Sequence, residues 1–577
     1  MTAGSRPLRD RTPGAEAIRA LSGIDAVLAR VYAARGIKSV SDLDYGLQHL
    51  APVGSLDGID RAVDLLVQHR DSRIMVIGDF DADGATSTAL VVRCLRGFGF
   101  AAVDYLVPNR FAFGYGLTPE IVAVSSERKP DLLLTVDNGV SSIEGVAAAN
   151  ALGMQVLVTD HHLPGPELPA AAAMVNPNLA GCDFASPNLA GVGVAFYLMA
   201  ALGRRLQADG KDGAAKIPAQ FLDLVALGTV ADVVRLDRNN RILVQQGLQR
   251  IRAGRCVPGI KALLEIAGRV HGRVVSTDLG FAVGPRLNAA GRLEDMSVGI
   301  ECLLSDDLAH AHSLAANLDE INRERREIEA TMRDQAFEYV DAMDARHLPP
   351  CVCVYDPHWH QGVVGLVAAR VRERCHRPVI AFAREQPGEL KGSARSVPGV
   401  HIRDLLEAVS TAHPGLIGKF GGHAMAAGLS LQEQHLDEFR KAASRQLTRL
   451  YPEADFSGAI ATDGMLPATA LTLKFAQTLR GAGPWGAGFP EPLFRGEFRV
   501  REQRVVGERH LKLRVEPETG GPLIDAIAFN QAEQGLRGTV QLVFRLDVNE
   551  YRGIESPQLI VEQIVSIRSP VPRPSAC

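Results

Sequence analysis

Between residues 72 and 176 the chain alternates short, continuous apolar runs with segments of helical apolar spacing. The runs are RIMVIGDFD, AAVDYLVP, DLLLTVDNG, MQVLVTDHH and AAMVNPN. Strands that are apolar on both faces belong in a parallel sheet covered on each side, so the pattern predicts a doubly wound α/β domain. Ahead of it, IDAVLARVYAARGI (24–37) and IDRAVDLLVQHR (59–70) carry helical spacing and predict a helical lead-in over 1–70. The α/β unit then occupies 71–304. From Ser305, followed by Asp306 and Asp307, neither Gly nor Pro interrupts the chain before Pro349. One long helix over 305–348 follows, with Ser305 as its N-cap and Leu314, Leu318, Ile321, Ile328 and Met332 as a partly apolar stripe bridging two lobes.

A second, smaller α/β lobe is expected over 349–454, where CVCVYD and PVIAFA alternate with VVGLVAARVRER and LDEFRKAASRQL around the glycine-rich GKFGGHAMAAGL. Beyond 455 the spacing changes to period two. FRVREQRVVG, HLKLRVEP, DAIAFN, TVQLVFRLDVNEY and SPQLIVEQIVSI predict a small β-barrel over 455–577.

Charge alters this picture in one place. The chain has 62 Lys and Arg against 66 Asp and Glu, a formal net charge of −4, so nothing attracts a polyanion globally. Residues 494–514 nevertheless hold seven Arg or Lys against three Glu, and alternation sets Arg499, Arg501, Lys512 and Arg514 on one strand face, a local field for a nucleic-acid backbone. The N-terminal stretch has no apolar core of a leader, and AGVGVAFYLMAAL (190–202) is too short and glycine-interrupted to cross a bilayer, so a cytoplasmic protein without membrane contact is expected. Eight scattered cysteines form no disulfide framework, and Cys351 and Cys353, on one side of a strand, are expected to pack in a core.

The candidate chemistry lies at strand ends, where open α/β sheets bind ligands. GDFDADGATS places Asp79, Asp81 and Asp83 directly after an apolar run. In an extended segment these would point to one side, and carboxylates so crowded demand a compensating cation. Asp137 in TVDNG, His161 and His162 in TDHH, and Asp232 in LGTVADVV end other apolar segments. Singly, each has an ordinary explanation as a helix cap or loop residue. Together they favour a two-metal site, and aspartate oxygens with imidazole suit Mn²⁺ or Mg²⁺ better than structural Zn²⁺. Two such ions about 3.5–4 Å apart serve phosphodiester hydrolysis.

These motifs, with the distal GGHAMAAG, resemble in order and spacing the DHH phosphoesterase superfamily, and over essentially the full length its bacterial single-strand-specific DNA exonucleases. The resemblance implies a DHH catalytic domain, a DHH-associated second domain and an OB-fold tail. It implies that Asp81 and Asp83 ligate separate ions, that Asp137 bridges them, that His161 and Asp232 complete the second site, that Asp79 is a ligand or supports one, and that His162 faces the scissile phosphate. It also implies a pocket for the DNA 5′ end at Arg110, Arg286, Ser393 and Arg395, a stacking platform at Tyr115 and a phosphate contact at His423. The activity so implied is 5′-to-3′ degradation of single-stranded DNA in repair and recombination, by a monomer that works with single-strand-binding protein and a helicase. Two alternatives are a phosphodiesterase for short oligonucleotides or dinucleotide signals, whose relatives are shorter and lack the tail, and a non-catalytic single-strand-binding scaffold, disfavoured because every expected ligand position is filled.

Overall fold

The computed structural model describes residues 6–109, 113–343, 348–532, 535–536 and 538–566. The five apolar runs form five parallel strands, ordered Ala102–Leu106, Arg73–Ile77, Leu132–Val136, Gln155–Thr159 and Ala173–Val175 across the sheet. Ile74 through Ile77 and Leu132 through Leu134 are fully buried, which is why the runs are continuous rather than alternating. The winding direction reverses between Arg73–Ile77 and Leu132–Val136, and the crevice at their carboxyl ends is where a ligand belongs. Helices Ala82–Gly97, Gly191–Ala208 and Leu222–Ala231 pack together beside that crevice. The run Ala214–Ala231 is long and apolar enough to suggest a membrane span, yet it is two 3₁₀ turns followed by a helix, and 56% of it is buried inside the protein.

The bridging helix is Leu308–Asp341, 34 residues or roughly 50 Å long. Its N-cap is Asp307, whose carboxylate accepts the backbone N–H groups of Ala309 and His310. This corrects the expected cap: Ser305 closes the preceding helix Ser297–Leu304 in extended conformation, and its hydroxyl donates to Asp307 O. The apolar stripe divides between two cores. Ala315 and Leu318 pack with the catalytic lobe, whereas Met332, Ala336 and Val340 pack with the second lobe.

The second lobe is a five-stranded sheet ordered Phe420–Gly422, Ala426–Gln432, Glu389–Arg395, Val379–Gln386 and Val352–Tyr355, antiparallel except for the last pair. Cys351 and Cys353 are buried in its core, as expected of packing residues. The tail closes into a barrel of Phe494–Val506, His510–Pro517, Ile524–Ala528, Ile554–Ser566 and Thr539–Tyr551. Its interior residues, Phe494, Phe498 and Phe544 among them, are contiguous with the core of the catalytic lobe. The link is fastened further by the N-terminal strand Leu8–Asp10, which pairs in parallel with Ile460–Thr462, and by Arg35, whose guanidinium binds Asp463 with both side chains 1% exposed.

Candidate metal centre and nucleic-acid cleft

The strand Arg73–Ile77 ends before the acidic stretch, and Asp81 caps the helix Ala82–Gly97. Its Oδ1 accepts the N–H groups of Asp83 at 2.9 Å and Gly84 at 3.0 Å. Asp79, Asp81 and Asp83 therefore do not share one face of an extended segment, as the alternation suggested. A carboxylate poised to satisfy free helix N–H groups starts the helix at Ala82 and turns Asp83 away from the other two. The acids enter two groups instead, one of Asp79, Asp81 and Asp137, the other of Asp83, His161 and Asp232, with ligand atoms within 4.8 Å of one another in each. Asp137, His161 and His162 make a third such grouping.

Local backbone conformation aims these groups. Asp137 follows Leu132–Val136 at φ +62°, a left-handed conformation that Asp tolerates better than most residues. Val233, next to Asp232 at the end of helix Leu222–Ala231, also has φ +62°, where a β-branched residue is strained. Two glycines make room: a Cβ on Gly191 would lie 2.5 Å from that of Asp137, and one on Gly228 would lie 2.8 Å from Asp83 Oδ1.

His161 Nε2 faces three carboxylates, 3.1 Å from Asp137 Oδ1, 3.5 Å from Asp232 Oδ2 and 4.0 Å from Asp83 Oδ2. Asp83 also accepts the N–H groups of Gly191 and Val192 at the start of helix Gly191–Ala208. Asp137 Oδ1 is buried and accepts no hydrogen bond. Among the described residues no Lys or Arg pairs with Asp83, Asp137 or Asp232. Burial, followed by repulsion from Asp232, pushes the Asp83 carboxyl up to about 7. Burial and Asp81 push Asp232 up to about 8, and burial with Asp83 and Asp81 raises Asp137 well above the usual carboxylate range. Burial and the neighbouring His162 lower His161. Such a cluster is stable only when protonated or neutralised by cations. Aspartate oxygens and an imidazole in two adjoining groups fit a pair of hard divalent ions.

Asp160, which composition and spacing did not single out, organises the histidines. It accepts the N–H groups of His161 and His162 and binds His162 Nδ1 at 2.7 Å. Asn176 and Asn178 hold the carbonyls of His162 and His161. Burial disfavours charge on His162, but the hydrogen bond to Asp160 and the surrounding carboxylates outweigh it and raise its pKa to about 9. Asp160 falls to about 2, since His162 and the other partners overcome its burial. The Tyr115 hydroxyl donates to Asp137 O at 3.1 Å and lies 3.2 Å from His162 Nε2, while 49% of the residue remains exposed. The signal for Asp160 was its place between an apolar run and two histidines.

The second lobe reaches this centre through His423, whose ring lies 5.2 Å from that of His162. Burial and the two facing histidines hold its imidazole down to about 4. On the same wall the Arg395 Nη1 donates to Ser393 Oγ at 3.0 Å and to Ala394 O, beside Gly365 at the start of helix Val364–Cys375. Burial, with Arg372 nearby, lowers the Arg395 guanidinium to about 10. Arg286 is placed differently: it is buried, its Nε and Nη2 contact Asp319 Oδ1 of the bridging helix, and Nη1 donates to Ala282 O. No hydrogen bond joins it to Ser393 or Arg395 among the described residues. Arg110 lies outside the described residues.

The barrel's basic face is more balanced than its sequence window suggested. Arg499 pairs with Glu518, Arg501 with Glu516, Arg514 with Glu502 and Lys512 with Asp525. Three of these partners come from outside 494–514, brought alongside by strand pairing, so the local excess of charge is largely cancelled.

Residues 73–229 match the DHH family, N-terminal domain, residues 349–449 the DHHA1 domain, and residues 462–563 the RecJ OB domain. A Dickeya dadantii protein named single-stranded-DNA-specific exonuclease RecJ is 54% identical over 554 residues, spanning 94% of this chain and 96% of its own length. The chain belongs to the RecJ family. Crystal structures of RecJ from Thermus thermophilus show the same architecture. The complex with Mn²⁺ superposes with a TM-score of 0.79 at 30% identity, covering 98% of this chain and 79% of that one. The complex with Mg²⁺ gives 0.75 at 29% identity over 98% and 78%. The doubly wound catalytic lobe, the smaller second lobe and the closed barrel expected from the sequence are thus those of the RecJ family.

Proposed function

We propose that this protein hydrolyses single-stranded DNA from its 5′ end, using two divalent ions of the Mn²⁺ or Mg²⁺ type. One observation carries the reading. Two adjoining sets of carboxylate and imidazole ligands, in which no Lys or Arg among the described residues pairs with Asp83, Asp137 or Asp232, lie opposite a wall bearing His423, Ser393 and Arg395. The near-full-length identity to single-stranded-DNA-specific exonucleases and the Mn²⁺ and Mg²⁺ complexes of a relative support it.

Asp79, Asp81 and Asp137 would hold one ion, and Asp83, His161 and Asp232 the other. Divalent ions there supply an acidified water and neutralise charge on the phosphodiester. Asp160 keeps His162 protonated, so its imidazolium faces the strand as a donor to a phosphate oxygen. Tyr115 offers its ring as a stacking platform for a base while its hydroxyl stays anchored on Asp137 O. Ser393 and Arg395 receive the 5′ phosphate together with Arg286, whose guanidinium Asp319 holds in place. The reading includes a cytoplasmic monomer acting in repair and recombination beside single-strand-binding protein and a helicase, an assignment that rests on family resemblance and that co-purification tests. The decisive experiment digests end-labelled single strands with Mn²⁺, Mg²⁺ or EDTA. Loss of label from the 5′ end only with metal is expected. Digestion from the 3′ end, or in EDTA, overturns the reading.

A further inference from the structure

The second lobe carries a cation near the cleft that the site above does not use. Arg403 lies in the first turn of helix Ile402–Ala412. The start of that helix is fixed to the turn bearing His423, for Ile402 N donates to Ala424 O at 2.9 Å and His423 N donates to Ala426 O at 2.7 Å. On the other side of the same turn, Ala426 stands opposite Arg395 in the sheet. Arg403 therefore shares with Arg395 and His423 the wall that touches His162 of the catalytic lobe.

Arg403 is half-buried, and among the described residues its guanidinium has neither an ion pair nor a hydrogen bond. Its neighbour Asp404 is taken by His401 at 2.9 Å. The guanidinium nitrogens stay open to solvent, where they can meet a ligand, and their charge adds to the positive potential felt by His423. The planar fork of Arg suits a phosphate lying in the cleft.

We propose that Arg403 contacts a backbone phosphate of the substrate strand next to the one being cleaved, and so sets the strand's register over the metal centre. The proposal rests on the nuclease reading above and gives that site a further substrate contact.

The test uses single strands bearing one uncharged methylphosphonate at each of the first few linkages in turn. Binding is read by fluorescence anisotropy with Ca²⁺ in place of Mn²⁺, so that it is independent of turnover. Arg403→Gln is expected to weaken binding of the all-phosphate strand on the order of tenfold, the loss of one charge-assisted contact. Neutralising one particular linkage should weaken the parent equally and leave the variant no further loss, and Arg403→Lys should restore most of the affinity. In Mn²⁺ Arg403→Gln should raise KM and also lower kcat, because the strand slips against the metal centre, and Arg403→Lys should recover both. An unchanged affinity, or an equal loss on every modified strand, overturns the contact. Failure of the parent to cut in Mn²⁺ overturns the nuclease reading instead, and the anisotropy series distinguishes the two.

Discussion

The metal centre and the barrel face are both rich in charge, and they treat it in opposite ways. On the barrel each of Arg499, Arg501, Lys512 and Arg514 has a carboxylate on, or for Arg499 just beyond, a neighbouring strand, partly exposed and within ordinary pairing distance. Pairs of this kind contribute to a sheet like any other cross-strand contact. In the cleft, among the described residues, no Lys or Arg pairs with Asp83, Asp137 or Asp232, and their charged neighbours are an imidazole and other carboxylates. Charge that is compensated where it stands reports structure; charge left uncompensated at a cost reports what must come from outside.

The largest effect should come from the uncompensated side. Asp137→Asn is expected to lower strand digestion by more than about a hundredfold, because its carboxylate is within reach of both ligand groups. The metal-free variant should melt no lower than the parent, since a buried repulsive charge is gone. Activity within tenfold of the parent would place Asp137 outside the metal centre.

A second test uses pH. The raised carboxyls of Asp83, about 7, and Asp232, about 8, favour the folded state while they carry protons, and this contribution is lost as pH rises through those values. Thermal melting in EDTA should therefore fall between pH 6 and pH 9. Saturating Mn²⁺ should reverse the trend, as binding displaces those protons and adds about 2.7 kcal/mol at a hundred times its dissociation constant. Melting in EDTA that rises over the same interval would show that these acids are compensated from within the protein.

Next in size is the 5′ end. Arg395→Ala should shrink the preference for a 5′-phosphorylated over a 5′-hydroxyl strand about tenfold, with the Mn²⁺-dependent rise in melting temperature intact. A full preference in the variant would move the terminal pocket elsewhere. The smallest effect belongs to the compensated side: Arg501→Gln should change affinity for a long strand by less than about threefold, as for a surface ion pair. Glu516→Gln, which releases Arg501, should steepen the salt dependence of binding. If Arg501→Gln flattens the salt slope by about one instead, the pair opens on DNA and the two regions are more alike than they look.

How much of this was legible beforehand follows from the range of the interactions. The five central strands were readable because burial on both faces leaves an unbroken apolar run, and the barrel because one-sided burial leaves alternation. The acids and histidines were readable because they lie at or near the ends of apolar segments, strands for Asp79, Asp137, His161 and His162 and a helix for Asp232. The split of Asp81 from Asp83 came only with the family resemblance; alternation alone put both on one side, since the split depends on Asp81 choosing a cap over an extended path. The pairing of the barrel's arginines was hidden because Glu516, Glu518 and Asp525 become neighbours only through strand register. Arg403 was equally invisible: what distinguishes it is its place beside His423 with no ion pair among the described residues, and a sequence does not display who stands beside whom.

The parallel pairing of Leu8–Asp10 with Ile460–Thr462 imposes an order in time on a newly made chain. At translation rates of about 5–20 residues per second, the first strand waits on the order of half a minute or more for its partner to be synthesised. The doubly wound sheet, whose strands are all complete by Val175, can condense long before then. The N-terminal segment is thus the last piece of the catalytic half to settle, and the molecule closes only when the approach to its barrel has left the ribosome.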